Sequence, residues 1–306
     1  MKQFVTRRLG YSLISLLVLS LTIFLFVRVT GDPASLLVEP GASEADIAAI
    51  HQKFGLDKPL WVQYGLFMGS LMRGDFGQSF YYQTPVFELY LDRLPNSLLL
   101  ALVAMAFSLV VGIPTGILSA VRVGHFWDNV GKMFALLGLS LPSFFVGLLM
   151  ILLFSVYLGW LPSSGSGTPL HLIMPAFALG WYFAAAHMRL TRSSMLEVLG
   201  SEYVKLARLK GLPPSMVIAK HAFKNALIPV LTLAGINLVL MINVAVVVET
   251  VFAWPGIGRL LYEGISFRDF PVVQGVVIMG GVMIVAVNFA VDVVYAVIDP
   301  RIRLEK

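Results

Sequence analysis

The chain contains no cysteine. Disulfides and Cys-ligated metals are therefore excluded. Charge is scarce as well: Asp, Glu, Lys and Arg make up 13% of the residues, against ~25% in soluble domains. There is no G-x-x-x-x-G-K-[ST] and no H-E-x-x-H. The first absence removes a phosphate-cradling loop, and with it ATP hydrolysis by this chain; the second argues against a zinc protease. Gly131-Lys132 is followed by methionine and lacks the upstream glycine. The histidines, His51, His125, His171, His187 and His221, are scattered and form no readable metal cluster. No internal repeat or low-complexity tract is visible.

What is present is apolar. Hydrophobic residues make up 58% of 306 residues, more than a water-soluble protein of this length needs. Several runs reach the roughly 20 apolar residues that a helix needs to cross a bilayer. The predicted fold is therefore all-α, a polytopic membrane protein with six transmembrane helices. The net charge of +5 reads as basic loops that set orientation, and no nucleic acid is implied.

In chain order, residues 1–29 form an N-terminal span. Leu9 to Val27 carries no charge and follows Lys2, Arg7 and Arg8. It exceeds the ~7–15 apolar residues of a signal peptide and has no small-x-small cleavage site after it. Residues 30–94 are a polar, extracytoplasmic, amphipathic subdomain with eight acidic and four basic residues. A helix is predicted from Ser43 to Phe54, with acids in its first turn, and an amphipathic segment from Leu60 to Met72. The interval reads either as a packing lid or as a docking surface for a delivery protein. Residues 95–298 hold the remaining spans: Ser97–Val121 with Pro114 inside it, Met133–Leu161 with a kink at Pro142, Leu170–Met188, Val230–Thr250 and Val272–Ile298. Residues 299–306 are a short tail. With the N-terminus inside, fifteen Lys and Arg fall in inner segments and six in outer ones. The positive-inside rule thus puts both termini in the cytoplasm.

Between the fourth and fifth of these spans, residues 191–229 form a cytoplasmic loop. Within it, Glu202–Lys210 and Ser215–Phe223 read as two short helices around Gly-Leu-Pro-Pro. Gly211 ends the first by taking a positive φ. Pro213 and Pro214 cannot continue that helix, and Pro214 suits the opening of the next. Such a helix-turn-helix is a handle that something outside the membrane can grip.

Ala207-Arg208-Leu209-Lys210-Gly211-Leu212, then His221, then Asn225-Ala226-Leu227-Ile228-Pro229, resembles the cytoplasmic loop of type I ABC importer permeases. The peptide/nickel branch, with its dipeptide and oligopeptide permeases, is the nearest likeness. Arg73-Gly74-Asp75-Phe76-Gly77, Val248 to Gly256 and Asp299-Pro300-Arg301 extend it over nearly the whole chain. One departure stands out. The generic loop begins Glu-Ala-Ala six residues before its glycine, where this chain has Lys205-Leu206-Ala207, so a contact made by that glutamate does not carry over.

The resemblance implies a non-catalytic permease subunit with the type I fold, in the bacterial cytoplasmic membrane. It implies a second homologous permease, two cytoplasmic ATPases and an extracytoplasmic binding protein as partners. ATP and Mg would sit on the ATPases, with no cofactor on this chain. The solute expected is a di- or oligopeptide. The candidate ATPase-coupling residues are Glu202, Tyr203, Lys205, Ala207, Arg208, Lys210, Gly211, Leu212 and Pro213, with Ala207 and Gly211 as small, close-packed positions.

For the translocation pathway the candidates are Asn237, Asn243 and Glu249. Each has a second reading, the asparagines as hydrogen bonds between helices and Glu249 as a brace for the turn Phe252 to Gly258. Asn288 and Asp292 share a helix face. The competing view of the whole chain is a self-sufficient secondary transporter or an intramembrane enzyme. Gly138-Leu139-Ser140 with His187 weakly resembles an intramembrane serine protease. Secondary transporters often show inverted repeats, and this chain shows none. The handle has no role in that view.

Overall fold

A computed structural model describes residues 2–30 and 57–298, with side chains for 10–29 and 57–290. The helix expected over Ser43–Phe54, the side chain of Asp292 and the tail from Asp299 lie outside the described residues. Among the described residues the structure is helical apart from loops and one isolated bridge, Gln78 with Pro85. Among these residues ten helices follow in order: α1 (Lys2–Thr30), α2 (Leu60–Met72), α3 (Val86–Val121), α4 (Phe126–Ser140), α5 (Ser143–Tyr157), α6 (Leu170–Leu199), α7 (Glu202–Leu209), α8 (Pro214–Val251), α9 (Ile257–Ser266) and α10 (Phe270–Ile298). Five of them are long and apolar enough to cross a membrane, and α4 with α5 makes a sixth if the pair counts as one span.

The chain divides into two units, residues 1–95 with 259–306 and residues 96–258. In the first, α1 packs against α10. The Arg73–Gly77 motif closes α2: Gly74, at φ +76°, donates to Leu71 O, and Asp75 N donates to Ser70 O. The loop 78–85 is then pinned by two acids. Asp269, buried, accepts from Ser79 Oγ at 2.6 Å and from Tyr81 N at 3.0 Å. Glu263 accepts from the Tyr82 hydroxyl at 2.6 Å and pairs with Arg259. Burial, then the hydrogen bond to Glu263, push the Tyr82 phenol up to about 12, so it remains a donor at any physiological pH.

In the second unit α6 is the central element, packed against α4, α5 and α8. Small residues let the backbones meet. A Cβ on Gly112 would lie 2.6 Å from Ala184 O, and one on Gly116 would lie 2.6 Å from Met188 O. Gly112 and Gly116 are four apart on α3, the small-x-x-x-small spacing that permits close helix contact in lipid, where apolar burial gives little drive. The core next to this contact joins Leu100 and Ala104 of α3, Leu179 and Phe183 of α6, and Met241 and Val248 of α8.

Two elements differ from the sequence expectation. The run Met133–Leu161 was expected to kink at Pro142 within one tilted helix. Instead the chain breaks there, and α4 meets α5 at 104°. Proline disfavours the helical region for the residue before it. Leu141 is accordingly extended, at φ −90° and ψ 124°, and Pro142 follows it at ψ 142°. The second handle helix, expected to stop at Phe223, runs on through a π-helical turn, Val217–Phe223, directly into the fifth span, so α8 is continuous from Pro214.

Candidate functional site

The handle is α7 with the first turns of α8. Ser201 precedes α7 in an extended conformation, and Glu202 places an acid in the first turn, the favourable end of the helix dipole. The C-terminal end is a Schellman motif. Gly211 N donates to Arg208 O at 3.0 Å and Leu212 N to Ala207 O at 3.4 Å, with Gly211 at φ +75°. The inner face is fixed by apolar packing: Val204, Ala207 and Val217 are buried together, with Leu212, Val198 and Leu199 against them. Pro214 occupies the first position of α8.

The outer face is open. Glu202, Tyr203, Lys205, Arg208, Lys210, Gly211 and Pro213 are exposed. So are two apolar residues that were not among the candidates, Leu206 (53%) and Leu209 (84%). With Tyr203 they form a stripe at spacing three. That periodicity was readable, but it competes with the buried stripe Val204–Ala207 on the same short helix, and only burial tells the faces apart. Ala207 and Gly211 also separate. Ala207 is buried, and its close packing is inside the chain. Gly211 is not close-packed: a Cβ there meets nothing within 4 Å. A groove of about 670 Å³ runs beside the handle, with Val121, Leu199, Arg208 and Ile218 among its walls.

The pathway candidates do not converge. Asn237 is buried, and its Nδ2 lies 3.2 Å from His187 Nε2; His187 Nδ1 in turn lies 3.3 Å from Ser108 Oγ. Three helices, α3, α6 and α8, are thereby joined by a polar chain. Asn243 is exposed and donates to Val239 O, one turn back on its own helix. Glu249 is fully buried and accepts from Ser97 Oγ at 2.6 Å; the same hydroxyl accepts from Ile257 N. Its carboxylate lies beneath Gly256, and Trp254 N donates to its backbone carbonyl at 2.8 Å.

A further node, absent from the sequence candidates, stands at the start of α4. Asp128 is fully buried. It accepts from Arg192 at 2.8 and 3.2 Å, Ser119 Oγ at 2.6 Å and Gly124 N at 2.9 Å, and Lys132 lies 2.8 Å away. Arg192 is on α6, ten residues before α7, so the helix leading into the handle is held to α3 and α4. Among the described residues no three His, Cys, Asp or Glu side chains gather to hold a metal ion.

A helical membrane chain with no ATPase motif and a handle packed on one face and exposed on the other matches two family models. Residues 112–304 match the inner membrane component of binding-protein-dependent transport systems, and residues 1–101 match the N-terminal part of such components. The chain belongs to this family. It is a permease subunit of an ATP-driven ABC importer in the bacterial inner membrane, and ATP hydrolysis belongs to partner ATPase chains. Among curated relatives it is 39% identical to the glutathione transport system permease protein GsiC of Salmonella choleraesuis, over 99% of both chains. It is 38% identical to the same-named protein of Escherichia coli K12, again over 99% of both. Among solved structures the permease resembles a chain of the inward-facing MetNI methionine ABC transporter, with TM-score 0.56 and 20% identity over 69% of this chain and 96% of that one. It also resembles a chain of an amino acid ABC transporter, with TM-score 0.55 and 15% identity over 68% and 93%. These likenesses carry the fold. ATPase and binding-protein partners follow from the family.

Proposed function

We propose that this permease pairs with a homologous permease, is driven by two cytoplasmic ATPases through α7, and imports a small peptide delivered by an extracytoplasmic binding protein. The observation that carries the coupling is the two-faced handle. Val204 and Ala207 lock α7 to the start of α8, while Leu209 stays 84% exposed beside Tyr203 and Leu206. An apolar stripe outside the membrane on an otherwise charged helix is a surface awaiting a partner. Glu202, Lys205, Arg208, Lys210 and Pro213 surround it as the polar rim, and the open space over Gly211 allows the partner to come close to the backbone.

Because α8 is continuous from Pro214 to Val251, a push on the handle is applied directly to a span. ATP binding closes the ATPases, the handles move inward together, and the spans open outward to accept solute; hydrolysis resets the gate. Both termini and the handle face the cytoplasm in this reading. The relatives' name supports the solute class, since glutathione is itself a tripeptide. Asn237, Asn243 and Glu249 remain the pathway candidates, Asn243 being the exposed one.

The test is uptake by the reconstituted complex in proteoliposomes. Labelled glutathione and dipeptides should enter only with binding protein outside and ATP at the ATPases. Uptake by the permease pair without the ATPases would instead establish a self-sufficient transporter. Mass spectrometry of small molecules retained by the binding protein identifies the solute.

A further inference from the structure

A cleft of about 690 Å³ opens between α4 and α6 within residues 96–258. Its floor is apolar, with Leu136, Leu139, Met188 and Leu196. Its rim is basic, with Lys132, Arg189 and Arg192. Among the described residues Lys132 and Arg192 pair with Asp128, which lines no part of the cleft. It is fully buried, and its oxygens are taken by Arg192, Lys132, Ser119 and Gly124. Arg189 is exposed and has no ion pair or hydrogen bond among the described residues. Three cations and no acid line the cleft, which leaves an excess of positive charge over a greasy floor.

We propose that this cleft binds an anionic phospholipid, with its phosphate at Lys132, Arg189 and Arg192 and an acyl chain along Leu136 and Leu139. Basic pockets between transmembrane helices are suited to such headgroups. Arg and Lys at helix ends hold their charges at the interface while their stems cover apolar surface. Ser140 and Ser193 also line the cleft and offer hydroxyls to phosphate oxygens. The apolar floor continues onto the exposed face of α4 at Met133, Leu136 and Leu137, which gives an acyl chain a way out to the bilayer. A zwitterionic peptide fits less well, because it brings an ammonium group and the cleft offers no free carboxylate to receive it. Buried Asp128 pre-organises the cradle by fixing Arg192 and Lys132 in place.

This inference rests on α4 and α6 meeting the membrane interface, and not on which side is cytoplasmic. Nanodiscs have equivalent leaflets, so its test is independent of the orientation proposed above. The complete complex is placed in nanodiscs of phosphatidylcholine containing phosphatidylglycerol, and retained lipid is counted by native mass spectrometry after mild delipidation. Wild type should retain phosphatidylglycerol over phosphatidylcholine by on the order of tenfold. Lys132→Gln with Arg189→Gln should abolish the preference while partner subunits still co-purify. If that pair fails to assemble, Arg189→Gln alone, at an exposed position without a partner, should reduce it. Equal retention of the two lipids by wild type would overturn the proposal. So would an undiminished preference in the variants, or displacement of the lipid by millimolar inorganic phosphate or dipeptide.

Discussion

Glu249 and Gly256 make one device from two residues. The carboxylate is fully buried, is donated to by Ser97, and occupies the space where any side chain at position 256 would begin. In lipid such an acid is costly unless it is satisfied by protein, and here its geometry holds the turn after α8. A methyl group at 256 has nowhere to go, and overpacking of this kind costs about 1–3 kcal/mol. Gly256→Ala should therefore lower the apparent melting temperature of the purified complex by several degrees. Glu249→Ala also destabilises, but it vacates the space the new methyl needs. The double variant should then be more stable than the sum of the two single losses predicts, which a double-mutant cycle measures. Strict additivity would mean that the two residues do not share a site. The sequence could place Glu249 near the end of a span and offer a turn brace as one reading. It could not supply Ser97, 152 residues away along the chain.

At the scale of elements, legibility followed how local the cause was. The positive φ of Gly211, the break before Pro213 and Pro214, and the chain punctuation at Pro142 are all dictated within a few residues, and all were readable. The size of the Pro142 break was not, because a kink and a right-angle turn begin with the same proline and differ in what the two arms pack against. Asp128 went unread because its partners Arg192 and Ser119 lie on other helices. For the handle, the local rule yields a direct prediction. Gly211 sits at φ +75° with open space around it, so a side chain there meets no clash within the chain, only the backbone cost of about 1–3 kcal/mol. Gly211→Val should still insert and keep its spans. It should lose ATPase co-purification, or lose stimulation of hydrolysis by loaded binding protein, because the Schellman end that presents Leu209 and Lys210 is disturbed. Lys220→Gln, an exposed change nearby, should have a much smaller effect. Normal vesicle transport by Gly211→Val would reduce residues 201–229 to an ordinary loop.

For the whole molecule, the decisive question is whether α4 and α5, bent by 104°, cross the membrane once or turn back. The two cases place everything after them on opposite sides. With the N-terminus inside, α1 and α3 return the chain to the cytoplasm before α4. If the bent pair crosses, the loop before α6 is outside and the handle is inside. If it turns back, the loop before α6 is inside and the handle is outside. The seven Lys and Arg of residues 189–225 would then face outward, against the bias that orients membrane proteins, and no ATPase could reach Leu209. The uncharged Ser/Gly/Pro-rich turn at 162–169 suits the outer side equally well. Crossing is therefore the expected case, and the absence of cysteine makes the experiment clean, since each introduced thiol is the chain's only one. Ser166 and Ser215 are both exposed. In intact cells, with the outer membrane permeabilised where there is one, Ser166→Cys should react with a membrane-impermeant maleimide. Ser215→Cys should react only after the cytoplasmic membrane is opened. The reverse pattern would make α4 and α5 a re-entrant hairpin, and the handle would lose its access to ATP-driven partners.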